Sequence, residues 1–344
     1  MYYDTYRGKK HSSWKREPQK RGGGCMSALL RAAMKLVAVL LVVALLCCGA
    51  LYLLPVSFLN IEPSGSDLSI ADNLPEDRVN ILLLGLDDLN EGSQRSDTIM
   101  IASLGNHSLK FISILRDTLV EIPGHGTQKI NAAYAIGGPE MTMRVINETF
   151  NLNVTNYVAI DFSCMVDLVD AIGGVDLEIE DREIEQLNKY AWNTYKCITK
   201  DGGTKYAKYA DSTAYTQGGT LHLNGLFATG YARIRKIDSD YTRTNRQRKV
   251  ILAIIRRMRS EWYNPLMYVK LFEILGESVN TNLSIVELIS VGEKILAIPQ
   301  AETARMPKDE DINDNGSSIE ITDREGNIEN MHLEIYGTTG ASDQ

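Results

Sequence analysis

Residues 79–88 read VNILLLGLDD. Val79 to Leu84 is, Asn80 apart, an apolar run of the kind that forms a strand covered on both faces. Gly85 then leads to Asp87 and Asp88, so two acids fall just past the strand's carboxyl end. Ligands of open α/β sheets gather at that edge. Working outward, Thr98–Leu104 and Leu109–Leu115 read as further strands, and the second runs straight into Arg116-Asp117. Gly138-Pro139 opens a helix with Met141, Val145 and Ile146 on one face. Tyr157–Ile160 is a strand, 163–172 a helix stopped by Gly173-Gly174, and Val175–Ile179 a strand again. Ser284-x-x-Glu287 is a capping box that places a helix at 285–297. Ser318–Ile321 and Met331–Tyr336 fit edge strands. The alternation of β and α elements implies one layered α/β domain, without internal repeats.

Two stretches resist that rhythm. Residues 188–220 are rich in Tyr and Gly without clear periodicity and read as a long surface excursion, a lid or an insertion. Residues 231–249, YARIRKIDSDYTRTNRQRK, hold seven Lys and Arg in nineteen positions. In Tyr231–Arg235 the alternation fits a strand with Tyr231, Arg233 and Arg235 on one face. After a turn at 238–240, the stretch 244–259 carries Val250, Ile251 and Ile254 at helical spacing, with Arg243, Arg246 and Gln247 on another face. Guanidinium groups gathered at a helix N-terminus suit an oxygen-rich polyanion such as a pyrophosphate. Ordinary surface arginines on a solvated helix are the alternative.

Charge and hydropathy divide the chain. Residues 36–54, LVAVLLVVALLCCGALYLL, are nineteen positions without a charge, long enough to cross a bilayer as one helix. Residues 1–35 carry nine Lys or Arg against Asp4 and Glu17, a net of +7, which keeps this arm in the cytoplasm by the positive-inside tendency. Removing the arm from chain totals of 36 basic and 44 acidic residues leaves 27 and 42, a net of −15, on the outer side. Such a domain repels nucleic acid, and no helix-turn-helix pattern is present. The leader is too long for a cleaved signal peptide, and Leu46 stands where a lipoprotein anchor at Cys47 needs a small residue. The expected organisation is a basic cytoplasmic arm (1–35), a transmembrane signal-anchor (36–54), an extracellular stalk (55–78) and an extracellular domain (79–344). Cys164 and Cys197 are the only outer thiols, and their pairing is open. The scattered histidines give no zinc spacing.

Three segments have chemistry to offer. Asp97, in Arg95-Ser96-Asp97-Thr98, follows Asp87 by ten residues, and a folded turn brings the two together. Paired carboxylates repel without a cation between them, and Mg²⁺, which prefers one or two carboxylates plus phosphate oxygens and water, resolves this. Turn capping by Asp97 with a solvated Asp87 is the competing reading. Arg116-Asp117 is either an internal ion pair or a strand-end phosphate contact. Lys129 and Asn131 follow the Gly124-His125-Gly126 turn, where surface decoration is the ordinary interpretation.

Taken in order, ILLLGLD (81–87), RSDT (95–98), SILRDT (113–118), KINAAY (129–134), GGPE (137–140), DAIGGVD (170–176), LNG (223–225) and RIRKIDSDYTRTNRQ (233–247) resemble the LytR-CpsA-Psr family of bacterial cell-envelope proteins. The resemblance spans roughly residues 79–255. It implies a three-layer α/β/α sandwich around a central mixed sheet, preceded by one N-terminal transmembrane helix, with an apolar groove for a lipid tail. It also implies a Mg²⁺-assisted phosphotransferase that takes a glycopolymer from a polyprenyl pyrophosphate carrier and joins it through a phosphodiester to a peptidoglycan sugar hydroxyl. Asp87 and Asp97 would hold Mg²⁺, and Arg116, Arg233, Arg235 and Arg243 the pyrophosphate. Arg95, Lys129, Arg246 and Gln247 fall at further motif positions on the phosphates. For the hydroxyl proton the candidates are Asp97 and Asp240. Departures are Leu115, where a proline commonly precedes the Arg-Asp pair, and the lack of an arginine after Asp88. A polyprenyl-pyrophosphate hydrolase and a non-catalytic envelope-binding module are the rival functions.

Overall fold

The computed structural model describes residues 67–87, 95–200, 205–210, 213–235, 237 and 240–337. The first strand, β1 (Arg78–Asp87), pairs antiparallel with β2 (Arg95–Gly105), which pairs antiparallel with β3 (Leu109–Ile114). A hairpin of β4 (Leu119–Ile122) and β5 (Gly126–Lys129) follows. Strand β6 (Asn156–Ile160) returns parallel to β1, and β7 (Val175–Ile179) with β8 (Gly219–Leu223) forms a separate antiparallel pair. The short β9 (Asn280–Thr281) closes one edge beside β6, and β10 (Ala301–Met306) closes the other, parallel to β3. The central sheet is thus mixed, in the order β10-β3-β2-β1-β6-β9, and β11 (Ile312–Asp314) with β12 (Ile319–Ile321) makes a last hairpin.

Eight helices accompany these strands among the described residues: α1 (Ala132–Phe150), α2 (Phe162–Ala171), α3 (Asp181–Ile198), α4 (Gly225–Ala232), α5 (Asp240–Ser260), α6 (Pro265–Ser278), α7 (Ile285–Ala297) and α8 (Arg324–Tyr336). Because side chains alternate along a strand, the sheet presents two apolar faces. Leu82, Leu84, Ile99, Ile101 and Ile112 meet Met143, Ile146 and Phe150 of α1 and Met331 and Ile335 of α8. Ile81, Met100, Ala102 and Phe111 meet Ile255 of α5 and Val291 of α7 on the other side. Helices therefore cover both faces, which is why β1 is apolar without alternation from Ile81 to Leu84. A third cluster, built from α2, α3, α4, α5, α6 and the β7–β8 pair, forms a helical module beside the sheet.

Local signals explain most boundaries. The Ser284 side chain accepts from Glu287 N–H, and the Glu287 carboxylate accepts from Ser284 N–H at 2.6 Å, the capping box read from the sequence. Helix α1 starts earlier than Pro139 but breaks at Gly138, whose φ of 66° and ψ of −157° are open essentially to glycine alone. Pro139 then stands in the first turn of the second half, and Met141, Val145 and Ile146 pack as expected.

Other expectations are corrected. Residues 188–198 are no excursion but the body of α3, which buries Ile184, Leu187, Ala191 and Thr194 at helical spacing. Tyr206 and Tyr209 beyond it are buried too. Residues 231–235 are not a strand: α4 runs to Ala232, Tyr231 is fully buried and Arg233 caps the helix. Met331–Tyr336 belongs to α8, where Met331 and Ile335 share the buried face four residues apart. Within the stretch read as stalk, Leu68 is 2 % exposed, and its carbonyl accepts from Asn147 Nδ2 at 2.9 Å. Cys164 and Cys197 are free thiols, and burial pushes that of Cys164 up to about 12. No described helix is long and apolar enough to cross a membrane; the span expected at 36–54, the cytoplasmic arm and residues 55–66 of the stalk lie outside the described residues.

Candidate functional site

The pairing of β1 with β2 slips by one residue near its end. Gly85 faces Thr98 and Leu86 faces Ser96, so Asp97 is the extra residue of a β-bulge. A bulge leaves its additional residue out of the ladder and re-aims the side chain. Close approach at this point requires Gly85, where a Cβ would lie 2.9 Å from the Cβ of Thr98. Asp87 ends β1 opposite Arg95, and Arg116-Asp117 follow β3, which runs in the same direction as β1. Strand termini thus bring Asp87, Arg95, Asp97, Arg116 and Asp117 to one edge of the sheet.

The helical module supplies the cations that face them. Arg235 follows α4, its backbone N–H donates to the Tyr190 hydroxyl at 3.3 Å, and its guanidinium bonds Asp97 Oδ2. Arg116 Nη1 donates to the other oxygen, Oδ1, at 2.7 Å. Arg243, in the first turn of α5 and 2 % exposed, donates to the Asp97 carbonyl at 3.1 Å. The chain of charge continues from Arg116 to Asp117 at 3.4 Å and from Asp117 to Lys129 at 2.8 Å. Burial acts to raise the carboxyl pKa of Asp97, but the fields of Arg235 and Arg116 outweigh it and hold the group below its ordinary value of 3.8.

Two cavities meet at these residues. A polar one of about 280 Å³ is lined by Asp87, Arg95, Asp97, Arg116, Asp117, Lys129, Asn131 and Arg235. The other, about 650 Å³, has a floor of Leu83, Met100, Val158 and Ile160 from the sheet and a roof of Met165, Leu168, Val250, Ile251 and Ile254 from α2 and α5. Asp87, Asp97 and Arg235 border both. Arg233, Arg243 and Gln247 line the apolar cavity, with the Arg233 guanidinium 3.8 Å above the Phe162 ring and its Nη1 on Thr194 Oγ1 at 2.8 Å.

Nine of the ten residues assigned from the sequence to metal or phosphate therefore border one or other cavity. The tenth does not: Arg246 is 1 % exposed, donates from Nε to Glu183 Oε1 at 2.7 Å, and stacks near Tyr231, which makes it an anchor between α5 and α3. Asp240 opens α5, and its side chain lies outside the described residues. Sequence reasoning missed Tyr190, Phe162 and Thr194, which position the arginines, and the pairing of Lys129 with Asp117. The helical spacing of Tyr190 and Thr194 with Leu187 was the available signal.

Among the described residues no group of three or more His, Cys, Asp or Glu is placed to hold a metal. Asp87 and Asp97 offer hard carboxylate oxygens to a polar pocket ringed by Arg95, Arg116, Lys129 and Arg235. That donor set suits Mg²⁺, which takes few carboxylates when phosphate oxygens complete its shell. An anion with a long apolar tail fits the paired cavities: charge beside the bulge, hydrocarbon between sheet and helices.

Comparison with known proteins agrees with this geometry. The model of the LytR_cpsA_psr family matches residues 60–332, and the chain belongs to that family. It is 34 % identical over 223 residues to the protein named polyisoprenyl-teichoic acid–peptidoglycan teichoic acid transferase TagU of Oceanobacillus iheyensis, covering 62 % of this chain and 61 % of that one. TagV of Bacillus subtilis, whose name is otherwise the same, is 32 % identical over 216 residues, 60 % of this chain and 50 % of its own. The matches thus span about half to three-fifths of those relatives. Among solved structures, B. subtilis TagT superimposes with a TM-score of 0.59 at 24 % identity, covering 82 % of this chain and 99 % of that one. TagT with bound octaprenyl pyrophosphate lipid gives 0.55 at 23 %, covering 82 % and 96 %. At such identity these structures share the fold.

Proposed function

We propose that this member of the LytR_cpsA_psr family is a phosphotransferase that moves a glycopolymer from a polyprenyl pyrophosphate carrier to a sugar hydroxyl of peptidoglycan. The observation that carries the reading is the junction of an apolar cavity of about 650 Å³ with an arginine-lined polar one of about 280 Å³ at Asp87, Asp97 and Arg235. A polyprenyl pyrophosphate has that division into hydrocarbon and diphosphate. The names of the relatives, teichoic acid transferases acting between a polyisoprenyl carrier and peptidoglycan, support it. So does the octaprenyl pyrophosphate bound by TagT.

In the reaction the acceptor hydroxyl attacks the sugar-linked phosphorus. The bond from that phosphorus to the oxygen bridging the diphosphate breaks, polyprenyl phosphate leaves, and the hydroxyl gives up its proton. Phosphoryl transfer asks a protein mainly to place reactants and to stabilise charge on non-bridging oxygens. Arg116, Arg235 and Arg243 converge on Asp97 and are placed to do so; Arg95 and Lys129 stand at the polar rim. Asp87 and Asp97 would hold Mg²⁺, which supplies further charge neutralisation at the diphosphate. Arginines already aligned by Asp97 lose little freedom when phosphate oxygens arrive. With its pKa lowered by these arginines, Asp97 is a poor proton acceptor and a good anionic ligand. The apolar stretch at 36–54 would tether the domain on the outer side of the cell membrane, where the carrier is held.

The test incubates the full chain in detergent with a synthetic polyprenyl pyrophosphate-linked glycan, Mg²⁺ and peptidoglycan oligomers. Linked glycan and polyprenyl phosphate are expected together, and chelation of Mg²⁺ should abolish both. Donor binding without either product would overturn the reading, and carrier phosphate released equally without acceptor would assign a hydrolase.

A further inference from the structure

Helix α4 lies so close on α3 that a Cβ at Gly230 would stand 2.6 Å from the Ala191 backbone nitrogen. That contact sets the offset between the two helices. Three residues further along each, Arg233 meets Thr194, and its Nη1 donates to Thr194 Oγ1 at 2.8 Å. Thr194 is fully buried, and its own hydroxyl donates to the Tyr190 carbonyl at 2.8 Å. Its oxygen therefore offers the guanidinium only lone pairs, in a fixed direction. The guanidinium carbon also sits 3.8 Å from the centre of the Phe162 ring. Arg116 and Arg235 each bind Asp97, and Arg246 binds Glu183. Arg233 differs: among the described residues no carboxylate lies within ion-pair distance of it. It faces the larger cavity, whose floor and roof are Leu, Ile, Val and Met side chains. A cation held at an apolar wall without a counterion keeps a desolvation cost that an anion relieves.

We propose that Thr194 and Phe162 are positioning residues that hold Arg233 on one phosphate of the diphosphate, the one joined to the lipid; the proposal rests on the lipid-carrier reading above. The two cavities order the phosphates. Arg95, Arg116 and Lys129 line only the polar cavity, Arg233 only the apolar one, and Arg235 borders both. A carrier with its tail in the apolar cavity brings its lipid-side phosphate to Arg233 and its sugar-side phosphate to Arg116 and Lys129. When the acceptor oxygen bonds the sugar-side phosphorus, the bridging P–O bond breaks and its electron pair stays on the departing polyprenyl phosphate. The acceptor's proton passes to water, so the leaving group gains one negative charge. The N–H groups of Arg233 not spent on Thr194 meet that charge. A guanidinium already held at two points loses little freedom in doing so.

The full chain in detergent is titrated with geranylgeranyl phosphate and with geranylgeraniol, which has the same tail without the phosphate. The native chain should bind the phosphate more tightly. Thr194→Val, which keeps the volume and removes the oxygen, should weaken the phosphate about tenfold and the alcohol hardly at all, with Thr194→Ser restoring the difference. Phe162→Leu should cost about threefold in the same comparison. In transfer from the synthetic donor, Thr194→Val should lower kcat about tenfold and leave the KM of the peptidoglycan oligomer where it is. Equal losses for phosphate and alcohol would reduce Thr194 to a shaper of the cavity and overturn the proposal. So would a phosphate affinity or a kcat that Thr194→Val leaves untouched. If Thr194→Val removes the advantage of the phosphate while the native chain turns over no donor, the placement of Arg233 stands and the transferase reading falls.

Discussion

Arg246 Nε lies 2.7 Å from Glu183 Oε1 with both side chains almost sealed from solvent, 2 and 5 % exposed. Sixty-three residues apart in sequence, the two tie the arginine-bearing helix α5 to α3. Glu183 also accepts from the Glu180 backbone N–H at 3.1 Å. Removing either partner leaves a buried charge without its counterion, so Glu183→Ala should destabilise by about 3–5 kcal/mol. Urea unfolding measures this. Replacing both residues by apolar ones of similar volume should cost far less, and an equal loss in the double variant would refute the ion-pair account.

Arg235 is 42 % exposed, so its replacement should scarcely touch folding. Arg235→Ala is expected to lower kcat by about 10²–10³-fold, the loss typical of one preorganised donor to developing charge. Arg235→Lys should recover little, because the planar fork is lost. Unchanged turnover in Arg235→Ala, with the melting temperature retained, would remove it from the transfer step.

The pH dependence of stability follows from Asp97. Its pKa is depressed in the folded chain, so the stabilisation it gives is complete above the unfolded value and fades as pH falls through the folded one. The difference in unfolding free energy between the native chain and Asp97→Asn should hold steady from pH 7 to about pH 5 and shrink below about pH 4. A gap that widens on acidification would contradict the arginine clamp.

Leu168 and Met165 line the apolar cavity from α2. Leu168→Trp narrows it, and the expected result is a KM about tenfold higher for a long-chain donor with little change for a short-chain one. Steady-state kinetics with donors of graded length decide it; equal effects at all lengths would place the tail elsewhere.

Much of this architecture was legible because chemistry sat at strand ends. Asp87 and Arg116 each follow a hydrophobic run, and such positions fall at the sheet edge, whereas Lys129 had only the preceding Gly124-His125-Gly126 turn to mark it. The capping box at Ser284 was legible for a similar reason, being complete within four residues. Tyr231–Arg235 misled because five residues are too few to separate a period of 2 from the last turn of a helix, and Ile234 is buried under either reading. Helix α3 was hidden because Tyr190, Trp192, Asn193 and Tyr195 dilute its apolar stripe. Partnerships across 63 or 138 residues, Arg246 with Glu183 and Arg235 with Asp97, have no local signature at all.

The slip between β1 and β2 gives the site a kind of permanence. With Gly85 locked to Thr98 on one side and Leu86 to Ser96 on the other, no point substitution nearby can slide Asp97 back into register. Only an indel could. Drift along the two strands that spares Gly85, where a Cβ would meet Thr98, therefore leaves the carboxylate its aim, a heritable geometry stored largely in residue count.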